Sequence, residues 1–387
     1  MNSPLAHRRL TFALGGLLAL ALPCAASAVE HILFSNDGRP RQLTGKVVVE
    51  DSVGSLLLET NDGAMWPIMA DDIRRRKSDE APLVPLDKEQ LAERLLKEMG
   101  PGFQVHKSKN YVVVYNTTRT YAEWTSSLLE RLQRGFISYW KKRGCDVEPP
   151  EAPLAVLVFN NKASYSRHSR AEFGEAMDNA IGYYSFQTNR IVMYDLTGSQ
   201  ELRRQNTKRG TLHDITNLLS QPAAEPLVAT IVHEATHQIS YNCGLQTRYN
   251  FSPVWLSEGL AVYFETPDLS NRRGGGAIGK VNYTRWERFR KNVHAGKEPK
   301  LIQMVANDDL IRNPRTAVDT YASAWAWNYF LIKWHPDEYV AYLKTLADKP
   351  QLVMDDEDTR IADFRKHFGE SFEELEKEFY RRMSRIK

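Results

Sequence analysis

Two histidines four residues apart, His233 and His237, enclose Glu234 within a largely apolar run. Leu227, Val228, Ile231 and Val232 lead into it, Pro222 or Pro226 offers a start, and Gly244 offers a stop. That pattern predicts a helix. Positions four apart on a helix share one face about a turn apart, so the two imidazoles can present nitrogens to a single point. Glu234 follows His233 and is rotated off that axis.

The spacing His-Glu-x-x-His on a helix is that of a metal site in which the glutamate acts on water without being a ligand. A surface helix with two histidines is the alternative for the pentapeptide alone. A second segment, Trp255-Leu256-Ser257-Glu258-Gly259-Leu260-Ala261, predicts another helix, with Ser252 as N-cap and Pro253 at its first position. Residues 238–257 allow a turn at Gly244 and an antiparallel return that faces Glu258 toward the histidine pair. His233, His237 and Glu258 would then hold one Zn2+ per chain and leave the fourth tetrahedral position open, as in catalytic zinc sites. A competing zinc pattern continues with x-x-G-x-x-H, but here Ser240 and Cys243 stand at those positions. Without the glycine, the helix carries Cys243 away from the metal.

Composition bounds the partners. The 387 residues hold 51 Lys and Arg against 48 Asp and Glu, and loss of a leader containing Arg8 and Arg9 would reduce the excess from three to one. So small an excess argues against a nucleic-acid partner. Residues 1–28 read as a signal peptide: His7-Arg8-Arg9, an apolar stretch from Leu10 to Leu22, and Ala26-Ser27-Ala28 as the cleavage site. A retained anchor, a lipidated Cys24 and twin-arginine export are weaker readings. The expectation is a secreted or periplasmic protein without a membrane span once the signal is removed. Cys145 and Cys243 remain, either as a disulfide or as two small buried hydrophobes.

Along the chain, residues 29–80 predict a small antiparallel, SH3-like β module with a turn at Asn61-Asp62-Gly63. The charged run Asp71 to Glu80, with Pro82 and Pro85, reads as a linker, and residues 81–100 as a linker or helix. From residue 101 strands and helices alternate: a strand at Tyr111 to Tyr115, a helix capped by Thr120 and Glu123, a strand at Leu154 to Phe159, and a hairpin over 181–194. Residues 196–222 and Ser270 to Gly276 read as loops. The C-terminal third reads as helical, ending in a helix capped by Ser371.

Together, Thr230-Ile-Val-His-Glu-Ala-Thr-His-Gln238 and Trp255-Leu-Ser-Glu-Gly-Leu-Ala-Val-Tyr-Phe-Glu265 resemble the gluzincin, or peptidase MA-like, metallopeptidases. Within them the pair is most similar to the secreted bacterial domain of unknown function DUF1570. The resemblance implies an α+β fold: a thermolysin-like core of mixed sheet, motif helix and mostly helical C-terminal part over 101–387, added to the N-terminal module. It also implies an antiparallel edge strand beside the cleft, for which 181–194 is the candidate. Residue by residue it implies zinc ligands His233, His237 and Glu258, and Glu234 as general base. Tyr321 resembles the oxyanion-stabilising tyrosine of aminopeptidase-like members, although a core tyrosine in an aromatic helix fits it equally. Glu265, seven residues after Glu258, either orients a ligand histidine or lies exposed.

The activity implied is hydrolysis of a peptide or protein substrate. No Gly-x-Met-Glu-Asn strand occurs, which favours an endopeptidase over an aminopeptidase. The alternative class is a latent or non-catalytic zinc-binding scaffold.

Overall fold

The computed structural model describes residues 28–36, 38–198, 202, 210–265 and 278–386. The leader, apart from Ala28, and the Ser270 to Gly276 loop lie outside the described residues.

The N-terminal module is one antiparallel sheet of five strands: β1 (Ala28–Asn36), β2 (Arg39–Glu50), β3 (Leu56–Thr60), β4 (Met65–Ile68) and β5 (Ile73–Pro82), in the order β4-β3-β2-β1-β5. Its core is Ile32, Phe34, Leu56, Leu58 and Ile68. The turn at residues 61–63 is present, and Gly63 supplies its positive φ of 76°. β5 overturns the linker reading of Asp71 to Glu80. The strand is exposed along almost its whole length, so it shows no apolar alternation. Its order comes from backbone pairing with β1 and from Arg76, which donates to Glu30 at 2.9 and 3.1 Å.

After α1 (Lys88–Met99) come β6 (Gln104–Lys107) and β7 (Tyr111–Tyr115), then α2 (Arg119–Lys141) and β8 (Leu154–Phe159). α3 (Lys162–Phe173) leads to the hairpin of β9 (Gly182–Ser185) and β10 (Arg190–Tyr194). These strands form a mixed sheet, β6-β7-β8-β10-β9, parallel at its centre and antiparallel at both edges. The central strands are buried on both faces, which explains their unbroken apolar sequences Tyr111 to Tyr115 and Leu154 to Phe159. Thr118, rather than Thr120, caps α2 by accepting from the Tyr121 amide.

The segment 196–222 is not wholly irregular: α4 (Leu212–Leu219) buries Ile215, Leu218 and Leu219. Next come α5 (Glu225–Asn242), α6 (Val254–Phe264), α7 (Tyr283–His294), α8 (Leu301–Ala306) and α9 (Asp309–Arg312). The chain ends with α10 (Ala317–Trp334), α11 (Pro336–Ala347), α12 (Glu357–Phe368) and α13 (Phe372–Met383), the last capped by Ser371. The protein is thus α+β, with a mixed sheet followed by a mostly helical C-terminal part.

One sheet face packs Val112, Val114, Leu157 and Val192 with Leu91, Leu95 and Tyr165. The other packs Val113, Val156, Ile191 and Met193 into a core shared with α2, α5, α6 and α10. Cys145 and Cys243 are both free thiols, so the disulfide alternative is not realised. Among the described residues, no helix is long and apolar enough to cross a membrane.

Candidate metal centre

α5 lies against the sheet and is buried without a break from Ile231 to Ser240. Pro226 occupies its first turn, and the chain turns away at Gly244, where φ is 87°. Ser252 does not cap α6. Its hydroxyl donates to Asn250 at 2.9 Å, and Pro253 takes the cap position one residue later than the sequence suggests. α6 then crosses α10 so closely that a Cβ on Gly259 would lie 2.4 Å from the Ala324 carbonyl oxygen. That contact fixes the neighbouring Glu258.

His233, His237 and Glu258 offer ligand atoms within 4.8 Å of one another. His237 Nε2 lies 3.2 Å from His233 Nε2, and Glu258 Oε2 lies 3.0 Å from His233 Nε2 and 3.7 Å from His237 Nε2. Tetrahedral bonds of about 2.0–2.1 Å place ligand atoms about 3.3 Å apart, so the three edges match a single divalent cation. Two imidazole nitrogens and one carboxylate oxygen are also the donor set of zinc sites that keep a position open.

Glu265 reaches back to the same histidine. Its Oε1 is 2.8 Å from His233 Nδ1 and so favours a proton there, which frees Nε2, the nitrogen facing His237 and Glu258, to bind a cation in place of its own proton. Asn282 donates to Glu265 Oε2 at 3.3 Å, and Arg285 lies 3.5 Å from Oε1. Glu265 therefore orients His233, one of the three candidate ligands, and the exposed alternative is not realised. Asn282 and Arg285 had no signal in the sequence, because their role depends on where α7 docks.

Glu234 is buried, with Tyr184 of the edge strand β9 donating its backbone amide to Oε2 at 2.9 Å. The hairpin over 181–194 is thus the edge element beside the cleft. Which of its residues meets Glu234 is set by tertiary register, and no sequence signal marks it. The cleft is lined by Phe173, Met177, Tyr183, Tyr184 and Phe186, and by Tyr321. The ring of Tyr321 lies 6.5 Å from that of His233, so the structure brings this residue to the site as well.

The charges divide sharply. Burial works to raise the Glu258 carboxyl, but His237 and His233 hold it well below the usual carboxylate range. Burial likewise opposes charge on His233, yet Glu258 and Glu265 push it up to about 10. Burial raises Glu234, with the two histidines pulling the other way and Glu258 adding to the rise. Tyr321 is pushed well above its ordinary value by burial and then by Glu258, so its hydroxyl keeps its proton. Where only protons compete for the site, His233 is the group that holds one; a divalent cation at the same point displaces it.

Residues 227–353, which span both ligand helices and Tyr321, match a protein family of unknown function, DUF1570. No curated protein matches the chain.

Proposed function

We propose that this protein is a zinc-dependent metallopeptidase with a gluzincin-like core, exported from the cell, and an endopeptidase rather than an aminopeptidase. The observation that carries this reading is the convergence of His233, His237 and Glu258 beside a buried carboxylate that is not a ligand, Glu234. Metal binding alone does not need that fourth group.

His233, His237 and Glu258 would hold the ion. Zinc bound there supplies Lewis acidity, which makes water a nucleophile near neutral pH and polarises the carbonyl under attack. Glu234 takes the proton of the attacking water and returns it to the leaving amine. Its raised proton affinity suits that exchange, and the Tyr184 amide holds one of its oxygens in place. The protonated hydroxyl of Tyr321 donates to the oxygen that gains charge as the carbonyl becomes tetrahedral. Glu265 keeps His233 in the tautomer that binds metal.

A second reading, a latent or scaffold form, is favoured by one observation. The cavity at the site is about 70 Å³, small beside the roughly 300–1,000 Å³ of ordinary ligand pockets.

Digestion of casein and a peptide library with and without chelator tests the proposal. Chelator-sensitive cleavage that Glu234→Gln abolishes while keeping its zinc supports it. Stoichiometric zinc with no cleavage, even after limited proteolysis within residues 196–222, supports the scaffold and defeats the enzyme.

A further inference from the structure

The loop joining α5 to α6 does more than connect two ligand-bearing helices. Arg248, at its centre, is 5% exposed. Its Nη1 donates to the Gly63 carbonyl in the β3–β4 turn at 2.9 Å and to the Phe186 carbonyl in the β9–β10 turn at 3.2 Å. The two turns also meet directly, because the Met65 amide donates to the Gln187 carbonyl at 2.7 Å. Leu57 and Met65 of the module pack with Tyr249 and Leu352, and the Tyr249 hydroxyl lies 3.4 Å from the Met65 carbonyl oxygen. Asp62, whose side chain is 4% exposed, lies 3.5 Å from Arg190 and 3.4 Å from Arg94.

The β9–β10 turn is fastened on its other side to the metal helix. Asn189, at φ 59°, exchanges a reciprocal pair of amide hydrogen bonds with Asn242 at 2.7 and 2.8 Å. Its side-chain oxygen also accepts from the Tyr184 hydroxyl at 2.8 Å, and its carbonyl accepts from Gln238 at 2.8 Å. Tyr184 supplies the amide that binds Glu234, and Phe186 walls the cleft. A continuous run of buried polar contacts therefore joins the module to Glu234.

We infer that the N-terminal β module is a fixed part of the site, and that Arg248 is a positioning residue holding the β9–β10 hairpin so that the Tyr184 amide stays on Glu234. Buried hydrogen-bond networks of this kind fix geometry, and displacement of a site by an ångström costs rate out of proportion to stability. The consequence for turnover rests on the peptidase reading; the consequence for the hairpin does not.

The test uses the full chain carrying Arg248→Met, which keeps the apolar stem and removes the donors. Arg248→Lys serves as the conservative variant, and Asn189→Gly keeps the positive φ while removing the amide ties. Zinc content, hydrogen exchange at the Tyr184 amide, and kcat and KM on a casein-derived peptide are measured. The expected result is unchanged zinc, loss of Tyr184 protection, and a kcat lowered roughly tenfold to a hundredfold in Arg248→Met, partly restored in Arg248→Lys. If Arg248→Met does not fold, Asn189→Gly should show the same loss of protection. Folded variants that keep wild-type Tyr184 protection overturn the inference. If the wild type cleaves nothing even after limited proteolysis within residues 196–222, the peptidase reading fails, while the exchange data still decide the clamp.

Discussion

Two partly buried carboxylates in this protein meet opposite fates. Glu258, between His233 and His237, is held well below the ordinary carboxylate range. Glu298, between α7 and α8, has both carboxylate oxygens enclosed and no hydrogen bond to either. Burial pushes it up to about 8, with a smaller opposing pull from Ser323 and added repulsion from Asp319. Burial acts in the same direction on both, so the difference lies in the neighbours. A carboxylate surrounded by convergent nitrogens stays charged and can hold a cation, whereas one enclosed with no cationic neighbour keeps its proton to higher pH.

Three substitutions test that contrast. Glu258→Ala should have the largest effect, because it removes one ligand and leaves His233 and His237 without their shared carboxylate. Stoichiometric zinc should be lost from the dialysed protein, as read by elemental analysis. Retention of one tightly held zinc would mean that the ion sits elsewhere. Glu265→Gln keeps all three ligands but weakens the acceptor that orients His233. Zinc affinity measured by competition with a chelating dye should fall about 10- to 100-fold.

Glu298→Gln should have the smallest effect, confined to stability. A carboxyl whose folded pKa lies near 8, against an ordinary 4.5, binds more protons folded than unfolded between those values. Its contribution is present in full below the lower value and is lost as pH rises through the upper one. Thermal melts should show Glu298→Gln close to wild type at pH 5 and more stable at pH 8.5, by on the order of a few degrees. Equal melting temperatures at both pH values would show that Glu298 ionises normally.

The same contrast explains what could be read from the sequence. His233, His237 and Glu234 lie within about one helical turn of each other, so their geometry follows from local structure. Glu258 needed only one reversal of the chain, and Gly244 supplies it. The hairpin over 181–194 was legible from its apolar strands and polar turn, but not the choice of Tyr184 as the residue whose amide meets Glu234. β5 was hidden because its side chains stay in solvent and only its backbone is paired. α4 was hidden because its three buried residues are set among polar neighbours in a short helix. Arg248, Asn282 and Arg285 were invisible for a different reason. Each is an ordinary polar residue until another element docks against it.

The most direct measurement is anomalous diffraction from crystals of the full chain, collected on both sides of the zinc absorption edge. One peak is expected, about 2.0–2.2 Å from His233 Nε2, His237 Nε2 and a Glu258 oxygen, with Glu234 near it but unbound. A peak at other residues, or Glu258 turned away from both imidazoles, would contradict the account.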